Sequence, residues 1–280
     1  MEKFLKKFWW LLILPIFVIG CAKRPVIGEN AFILIPHSQE LALGDEAAQE
    51  ILKKEQLVKD PKIVERVEKV FNRLLKAIPP KYRNAYEWKV YVIDKNVVNA
   101  FALPNGNIFV YKGLVDFVKN DDELAAVLGH EMAHVILRHG AEKMSQAMVA
   151  NIVGSVLLQN VSPANRELAA DLYSLGVNVA FLLPYSRRQE KEADIVGLLI
   201  AMRAGYNPEG AVKLWEKMVK KFASQEPPAW LSDHPASKER LEYIKKVIKF
   251  LKEHPKYVKE FKIPPQLINM VCKNAKNLKK

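Results

Sequence analysis

Two histidines four positions apart, His130 and His134, with Glu131 directly after the first, constrain this chain more than any other feature. The surrounding residues predict one helix, because Asn120 is a suitable N-cap and Gly140 can close the last turn. Positions i and i+4 share a helix face, so the two imidazoles point the same way and suit a zinc ion. Glu131 then lies near enough to reach a metal-bound water without binding the metal. The motif alone is also consistent with a surface helix that carries two histidines.

A third metal ligand is predicted on a second helix. Glu190 follows His134 by 56 residues and lies in the first turn of a helix that Ser186 is predicted to cap. Asp194, one turn beyond Glu190 on the same face, is placed to accept the other ring N–H of a ligand histidine and so fix its tautomer. Glu192 is not excluded by spacing alone, but it lies about 200° from Glu190 around the helix. Together the two helices make a more specific zinc pattern than either one alone.

Hydrolysis at such a site also needs a group that stabilises negative charge on the reacting oxygen. His234 and Arg240 are the candidates for this catalytic role, beside Glu131 as general base. The simpler interpretation of His234 is a loop histidine before a proline. His139 lies nine positions after His130. That places it about 180° around the helix, so it is not predicted to bind the metal.

The first 20 residues have the layout of an exported leader. Three lysines precede a run of twelve apolar residues, shorter than the about 20 that a membrane-spanning helix needs. The leader ends in Val18-Ile19-Gly20-Cys21, which resembles the bacterial lipobox, so Cys21 is predicted to be lipidated and to anchor the chain to a membrane. An ordinary signal peptide with a coincidental cysteine is the alternative. Residues 21–40 are predicted to be a tether.

The folded body is predicted over residues 41–253 as a mostly helical α+β domain with a small sheet. Alternating apolar residues predict a strand at 88–93. A Pro-Asn-Gly turn between two apolar runs predicts a hairpin of strands 98–103 and 107–111. The apolar stretch 141–183 is predicted to be helical and buried in the core, with a cover over the active site or a contact with the membrane as alternatives.

The chain is basic, with a formal net charge of +12, and most of the excess lies near its C-terminal end. Residues 238–280 carry thirteen lysines or arginines and four glutamates, a net charge of +9. Residues 254–280 are predicted to be a peripheral basic extension, either a solvated surface or a contact with an anionic membrane. The sequence has no cysteine pairs and no aromatic–basic stacking motif, so nucleic acid is not predicted as a partner.

Four groups of residues together match one known family. They are Asn99-Ala100-Phe101-Ala102 with Pro104 and Gly106, His130 to His134, Ser186-Arg187 with Glu190 and Asp194, and His234-Pro235 with Arg240. On these residues the chain resembles the zinc metalloproteases related to HtpX and the CAAX prenyl endopeptidase. It is most similar to their soluble periplasmic branch, which includes BepA and small outer-membrane lipoproteins. Too few residues follow His234 for the helical repeats that BepA carries after its catalytic part, so none are expected.

The resemblance implies a zincin-like (gluzincin) fold with one zinc ion per chain. It also implies that Asn99 and Ala100 lie on an edge strand that binds the substrate backbone, and that His234 can reach the zinc as a fourth ligand. The expected function is a zinc-dependent endopeptidase, anchored at the outer membrane on its periplasmic side, that degrades misfolded or stalled envelope proteins. One alternative is a zinc-bearing chaperone or assembly factor for outer-membrane proteins, in which proteolysis is secondary. The other is a scaffold lipoprotein with an inactive site, against which the intact Glu131 argues.

Overall fold

The computed structural model describes four segments of the chain, residues 21–159, 185–222, 228–235 and 237–269. The predicted leader and the second half of the apolar stretch 141–183 lie outside the described residues. Within these four segments, no helix is both long enough and apolar enough to cross a membrane.

The described residues form helices joined to two small sheets, which confirms the predicted mostly helical α+β class. The helices are α1 (His37–Lys54), α2 (Pro61–Ala77), α3 (Pro80–Arg83), α4 (Lys112–Phe117), α5 (Asp121–Ile136), α6 (His139–Gln159), α7 (Arg187–Arg203), α8 (Glu209–Lys221), α9 (Ala229–Asp233), α10 (Lys238–Glu253) and α11 (Pro255–Glu260). The strands are β1 (Cys21–Lys23), β2 (Asn30–Phe32), β3 (Lys89–Ile93), β4 (Ala100–Ala102) and β5 (Asn107–Tyr111).

Helix α5, which carries both histidines of the motif, lies at the centre of the core. It packs most extensively against α7, and also against α2, α8 and β4. Its apolar side chains Leu124, Leu128 and Met132 are fully buried, and each such burial contributes about 1.5–3 kcal/mol. Asn120 caps the helix as predicted, its Oδ1 accepting a hydrogen bond from the backbone N–H of Glu123 at 2.9 Å. The histidines are therefore fixed in a rigid, buried element.

The predicted end of this helix at Gly140 is wrong. Helix α5 stops at Ile136, and Arg138 adopts a left-handed backbone with φ of 57°. The Arg138 side chain holds this turn by donating to Glu40 Oε2 at 2.7 Å and to the carbonyl oxygen of Ile35 at 3.1 Å. His139 consequently begins a new helix, α6, and does not continue the helical wheel of α5.

The main sheet has the strand order β3-β5-β4. Strands β3 and β5 are parallel, whereas β4 pairs antiparallel with β5 in the register Ala100 opposite Val110. The hairpin predicted around the Pro-Asn-Gly turn is thus confirmed. Strand β4 lies at the edge of this sheet and packs against α5.

The tether predicted over residues 21–40 is wrong for this part of the chain. Strands β1 and β2 form an antiparallel pair, here called the N-terminal hairpin, and α1 already begins at His37. Ala31 and Ile33 are buried against Ala141 of α6. Strands of three residues with so few apolar side chains have no period that sequence can reveal.

The chain beyond residue 253 is not wholly peripheral either. Phe261, Ile263 and Leu267 are buried in the main core, although the exposed Lys262 lies between the first two in the sequence. Helix α11 packs on α7 and α10. His234, for which a loop position was the simpler interpretation, directly follows the short helix α9 and is buried.

Candidate metal centre

The two helices with the predicted ligands cross where each has a glycine. A Cβ added to Gly129 of α5 would lie 2.9 Å from the carbonyl oxygen of Gly197 of α7. A Cβ added to Gly197 would lie 2.9 Å from the backbone nitrogen of His130. Neither position leaves room for a side chain, so the two backbones come as close as glycine permits. This crossing brings the motif of α5 within reach of the first turns of α7.

His130, His134 and Glu190 converge on one point, as the sequence predicts. The two histidine Nε2 atoms lie 3.0 Å apart. Glu190 places Oε2 3.4 Å from Nε2 of His130 and Oε1 3.4 Å from Nε2 of His134. All three side chains are buried. Residues spaced along two separate helices therefore form a single cluster of possible ligands.

His234 joins this cluster from the end of α9. Its Nδ1 lies 2.9 Å from Oε1 of Glu190 and 3.2 Å from Nε2 of His130. Candidate ligand atoms of these three residues and His134 all lie within 4.8 Å of one another. The placement agrees with the expected fourth ligand and not with a solvent-exposed loop histidine.

The cluster fits a divalent metal such as zinc. Imidazole nitrogens and a carboxylate oxygen are the donors that zinc accepts. Glu190 Oε2 is buried and accepts no well-aligned hydrogen bond from the described residues, although Nη1 of Arg240 lies 2.6 Å away. Burial alone would lower the pKa of His130, but the facing carboxylates of Asp194 and Glu190 outweigh it and raise that pKa to about 9. The donor atoms and the buried carboxylate oxygen of Glu190 together fit a metal ion.

His130 is held from behind by Asp194, as predicted. Nδ1 of His130 lies 3.1 Å from Oδ1 of Asp194, which leaves Nε2 facing the cluster. Arg240 in turn grips Asp194 with two hydrogen bonds, from Nε at 2.8 Å and from Nη2 at 2.7 Å. Burial would raise the pKa of Asp194, but the charge and hydrogen bonds of Arg240 hold it below its ordinary value.

Arg240 does not have the position expected of a group that contacts the reacting oxygen. Its guanidinium is engaged by Asp194 and Glu190 and by the carbonyl oxygen of Pro235 at 3.2 Å, and it stacks 4.1 Å above the ring of Trp215. Burial alone would raise the pKa of Glu190, but the facing His234 and Arg240 keep it well below its ordinary value. Arg240 is therefore placed to hold the carboxylates of Asp194 and Glu190.

His134 is held by a residue that the sequence did not indicate. Nδ1 of His139 lies 2.9 Å from Nδ1 of His134, and Nε2 of His139 lies 3.2 Å from Oε2 of Glu192. His139 is not in the ligand cluster, as predicted, but it contacts a member of it. The helical wheel missed this contact because the chain turns at Arg138.

Glu131 is buried beside the cluster, where an indole fixes its carboxylate. Trp230 Nε1 donates to Oε1 of Glu131 at 3.2 Å, and Nε2 of His234 lies 3.5 Å from the same oxygen. Trp230 stacks on Trp215 with ring centroids 5.0 Å apart. Burial raises the pKa of Glu131, which favours proton uptake by this carboxylate. No sequence pattern indicates Trp230, since it lies in a helix of only five residues.

A cleft opens beside Glu190. It has a volume of about 710 Å³ including its open mouth, and Tyr185, Lys191 and Pro235 contribute to its walls. The Tyr185 ring stacks on His134 at 4.0 Å between centroids. Burial raises the pKa of Tyr185, so its hydroxyl keeps its proton at neutral pH and can donate a hydrogen bond.

The predicted substrate-binding residues lie at an edge strand of the main sheet, where Ala100 is buried. Asn99 pairs with β5, its carbonyl oxygen accepting from the N–H of Tyr111 at 3.0 Å. In an antiparallel pair the next residue turns its backbone groups the other way, so those of Ala100 face outwards. Asn99 Oδ1 accepts from the N–H of Ala100 at 2.8 Å. The edge is partly covered by its own side chain.

The sequence was compared with known proteins, and it matches one protein family. Residues 61–248 match the model of peptidase family M48. The mitochondrial metalloendopeptidase OMA1 of Saccharomyces cerevisiae is 31% identical over 241 residues, which cover 80% of this chain and 68% of that protein. OMA1 of Schizosaccharomyces pombe is 38% identical over 159 residues, 56% of this chain and 46% of that protein.

A bacterial relative is also found. The beta-barrel assembly-enhancing protease of Yersinia pestis is 28% identical over 239 residues, 82% of this chain and 48% of that protein. The chain therefore spans less than half of the length of the relatives from Y. pestis and S. pombe. The narrower placement in a periplasmic lipoprotein branch stays a prediction, since the relatives include mitochondrial proteins as well. All four members of the histidine–glutamate cluster lie inside the matched span, and the chain belongs to peptidase family M48.

Proposed function

We propose that this protein is a zinc-dependent endopeptidase. The observation that carries the proposal is the convergence of His130, His134 and Glu190 at one buried point, with the carboxylate of Glu131 directly beside it. Structural zinc sites are closed by four strong ligands, whereas catalytic sites combine three ligands with a general base and an opening to solvent. The cleft beside Glu190 supplies such an opening.

The ligand residues would be His130 and His134 through Nε2, and Glu190 through its carboxylate. When bound, zinc supplies Lewis-acid polarisation of the scissile carbonyl and acidifies water. Glu131 accepts a proton from the attacking water and returns it to the leaving amine, a role that its raised pKa favours. Trp230 keeps one oxygen of that carboxylate in place through its indole N–H.

Substrate backbone would bind along β4. The backbone groups of Ala100 and Ala102 point away from β5, where an added strand would pair once the cover over the buried Ala100 moves aside, and β4 lies against the helix that carries the proposed ligands. The Asn99 side chain, which now occupies the N–H of Ala100, would move aside as the substrate pairs. We assign Arg240 to positioning Asp194 and Glu190 and not to the substrate.

His234 is proposed to shield the zinc at rest as a further ligand. Its Nδ1 already faces Glu190 and His130, and its Nε2 faces Glu131. We expect His234→Ala to raise basal cleavage several-fold, because the variant leaves the site open to substrate. Unchanged or lower activity would instead assign His234 to stabilising the transition state.

The cellular setting is proposed from the sequence. The lipobox-like end of the leader supports a lipid anchor at Cys21, and the name of the Y. pestis relative supports work on proteins of the cell envelope. We propose misfolded or stalled envelope proteins as substrates, with the outer membrane as the site of the anchor. Contact of the basic C-terminal region with the membrane is a further part of this proposal.

The general base gives the most direct test. We expect Glu131→Gln in the full chain to bind zinc like the parent protein and to cleave an unfolded protein such as casein about 10²–10⁴-fold more slowly. Glu87→Gln, an exposed carboxylate at the sheet, serves as the control and should cleave normally. Full cleavage by the Glu131 variant would refute the proposed chemistry.

The same variant separates proteolysis from a chaperone or assembly role. If cells with Glu131→Gln handle envelope proteins like cells with the parent protein, cleavage is secondary and the alternative function is correct. We expect instead that substrate proteins accumulate in the cells with the variant, as quantitative proteomics of the envelope would detect.

A further inference from the structure

We propose that His139, Glu192 and Arg24 form a line of positioning residues behind His134, through which the N-terminal hairpin becomes part of the metal centre. The proposal rests on the proposed function only in taking His134 as a metal ligand. The line starts at Nδ1 of His134, the nitrogen that points away from the cluster, and ends at the guanidinium of Arg24, directly after β1.

The first contact fixes the tautomer of His134. A neutral imidazole carries one N–H, so ligation through Nε2 requires the proton of His134 to be on Nδ1. That N–H points at Nδ1 of His139, 2.9 Å away, which must therefore accept. His139 can accept there because its own proton is on Nε2, 3.2 Å from the carboxylate of Glu192. Glu192 thus selects the tautomer of His139, and His139 selects that of His134.

The second contact keeps Glu192 charged and oriented. Glu192 is 1% exposed, and a carboxylate buried this deeply is costly unless donors surround it. Oε1 accepts from Nε of Arg188 at 2.8 Å, while Oε2 accepts from His139 and from Nη1 of Arg24. Arg24 and His139 therefore donate to the same oxygen of Glu192. The position of Arg24 determines where this oxygen lies relative to His139.

The third contact ties the line to the N-terminal hairpin. Arg24 directly follows β1 and is 3% exposed. Its Nη2 also donates to Glu142 of α6 at 2.6 Å, so one guanidinium bridges α6 and α7. The hairpin is fixed to α6 by the backbone N–H of Leu34, which donates to Oγ of Ser145 at 2.8 Å. Displacement of the hairpin would carry Arg24 with it.

Charge distinguishes this line from ordinary packing. Replacing a buried ion pair with well-packed apolar groups is often neutral or stabilising, so stability alone does not require an arginine at this position. An apolar side chain cannot, however, hold the carboxylate of Glu192 opposite His139. The arrangement is explained if its role is to orient His134.

The test measures metal binding and not cleavage. We expect His139→Phe, which keeps the ring and removes both nitrogens, to weaken zinc binding by about 10- to 100-fold in competition with a chelator. Arg24→Met should weaken it by a smaller factor, and Arg24→Lys should restore part of the loss. In the cobalt-substituted full chain, the visible absorption bands should shift in His139→Phe and Arg24→Met. Arg66→Met, which removes an ion pair with Asp121 at the start of the same ligand helix, should leave affinity and bands unchanged.

The outcomes are separable. If the parent protein binds no metal, the proposed function fails. If it binds metal and His139→Phe or Arg24→Met binds equally well with unchanged cobalt bands, the positioning line is refuted while the proposed function stands. Thermal unfolding of the metal-free variants shows which of them fold. If His139→Phe does not fold, Arg24→Met and its rescue by lysine decide the matter.

Discussion

The two histidines of α5 that we propose as metal ligands, His130 and His134, are held by different groups. Behind His130, a carboxylate touches the ligand directly and an arginine grips that carboxylate with two hydrogen bonds. Behind His134, a second imidazole is interposed before the carboxylate of Glu192 is reached. Both carboxylates come from α7, two positions apart, Glu192 and Asp194.

The two supports differ most in where their outer cation comes from. Arg240 belongs to α10 within the core of the domain, whereas Arg24 belongs to the N-terminal hairpin. Asp194 orients His130 through one hydrogen bond, whereas Glu192 orients His134 through two, one on each side of His139. The His130 side should therefore be the stronger support, and the His134 side should be the more sensitive to changes elsewhere in the chain.

The largest effect is expected on the His130 side. Asp194→Asn removes one of the two carboxylates that pair with the buried charge of Arg240, and breaking a buried ion pair costs about 3–5 kcal/mol. Zinc affinity should fall by about 10- to 100-fold as well, because His130 loses its acceptor. Urea unfolding and chelator competition on the full chain measure the two losses.

Asp121→Asn is the matched control for this variant, since it removes another aspartate–arginine pair, with Arg66, at a partly exposed position. A surface pair of this kind contributes about 0–1 kcal/mol. If Asp194→Asn were no more destabilising than Asp121→Asn, the direct carboxylate would not be the stronger support and the comparison would be wrong.

An intermediate effect is expected at Trp230, which donates a hydrogen bond to Glu131 and to neither His130 nor His134. Trp230→Phe keeps the stacking on Trp215 but removes the N–H that fixes Glu131. A hydrogen bond to a charged group contributes about 1.5–3 kcal/mol, so kcat/KM should fall by about 10- to 100-fold while zinc affinity is unchanged. Trp88→Phe, which removes an indole hydrogen bond to the carbonyl oxygen of Arg83, is the control. A loss of zinc in Trp230→Phe would mean that base and ligands are not supported separately.

The difference between the two sides also shows what sequence can predict. His130, His134, Glu190 and Asp194 follow from helical spacing alone, because each pair lies four positions apart on a helix whose N-cap the sequence reveals. The hairpin of β4 and β5 follows from the Pro-Asn-Gly turn between two apolar runs. All of these are local patterns.

The residues that sequence missed depend on contacts between distant segments. His139 meets His134 only because Arg138 takes a left-handed backbone, and that turn is held by Glu40 from α1. Arg24 lies in a stretch without any period, and its burial depends on α6 and α7 together. Spacing contains no information on such contacts, since they arise from packing.

The smallest effect is expected in the pH dependence of stability, where variants of Glu192 and Asp194 should differ. The pKa of Glu192 is lowered from its ordinary value of 4.5, since the hydrogen bond of His139 and the charge of Arg24 outweigh the burial that would raise it. A lowered folded-state pKa means that the ionised group contributes stability that is fully present above pH 4.5 and is lost as the pH falls through the folded value. In metal-free protein, Glu192→Gln should therefore lower the free energy of unfolding by about 1–2 kcal/mol at pH 7, and this difference should shrink below pH 4.5.

For Asp194→Asn the corresponding difference should persist to lower pH, because the ordinary pKa of Asp194 is 3.8 and its folded pKa is lower still. Urea unfolding of both variants between neutral pH and acid measures the two windows. A difference that grows on acidification for Glu192→Gln would contradict an ionised carboxylate held between His139 and Arg24.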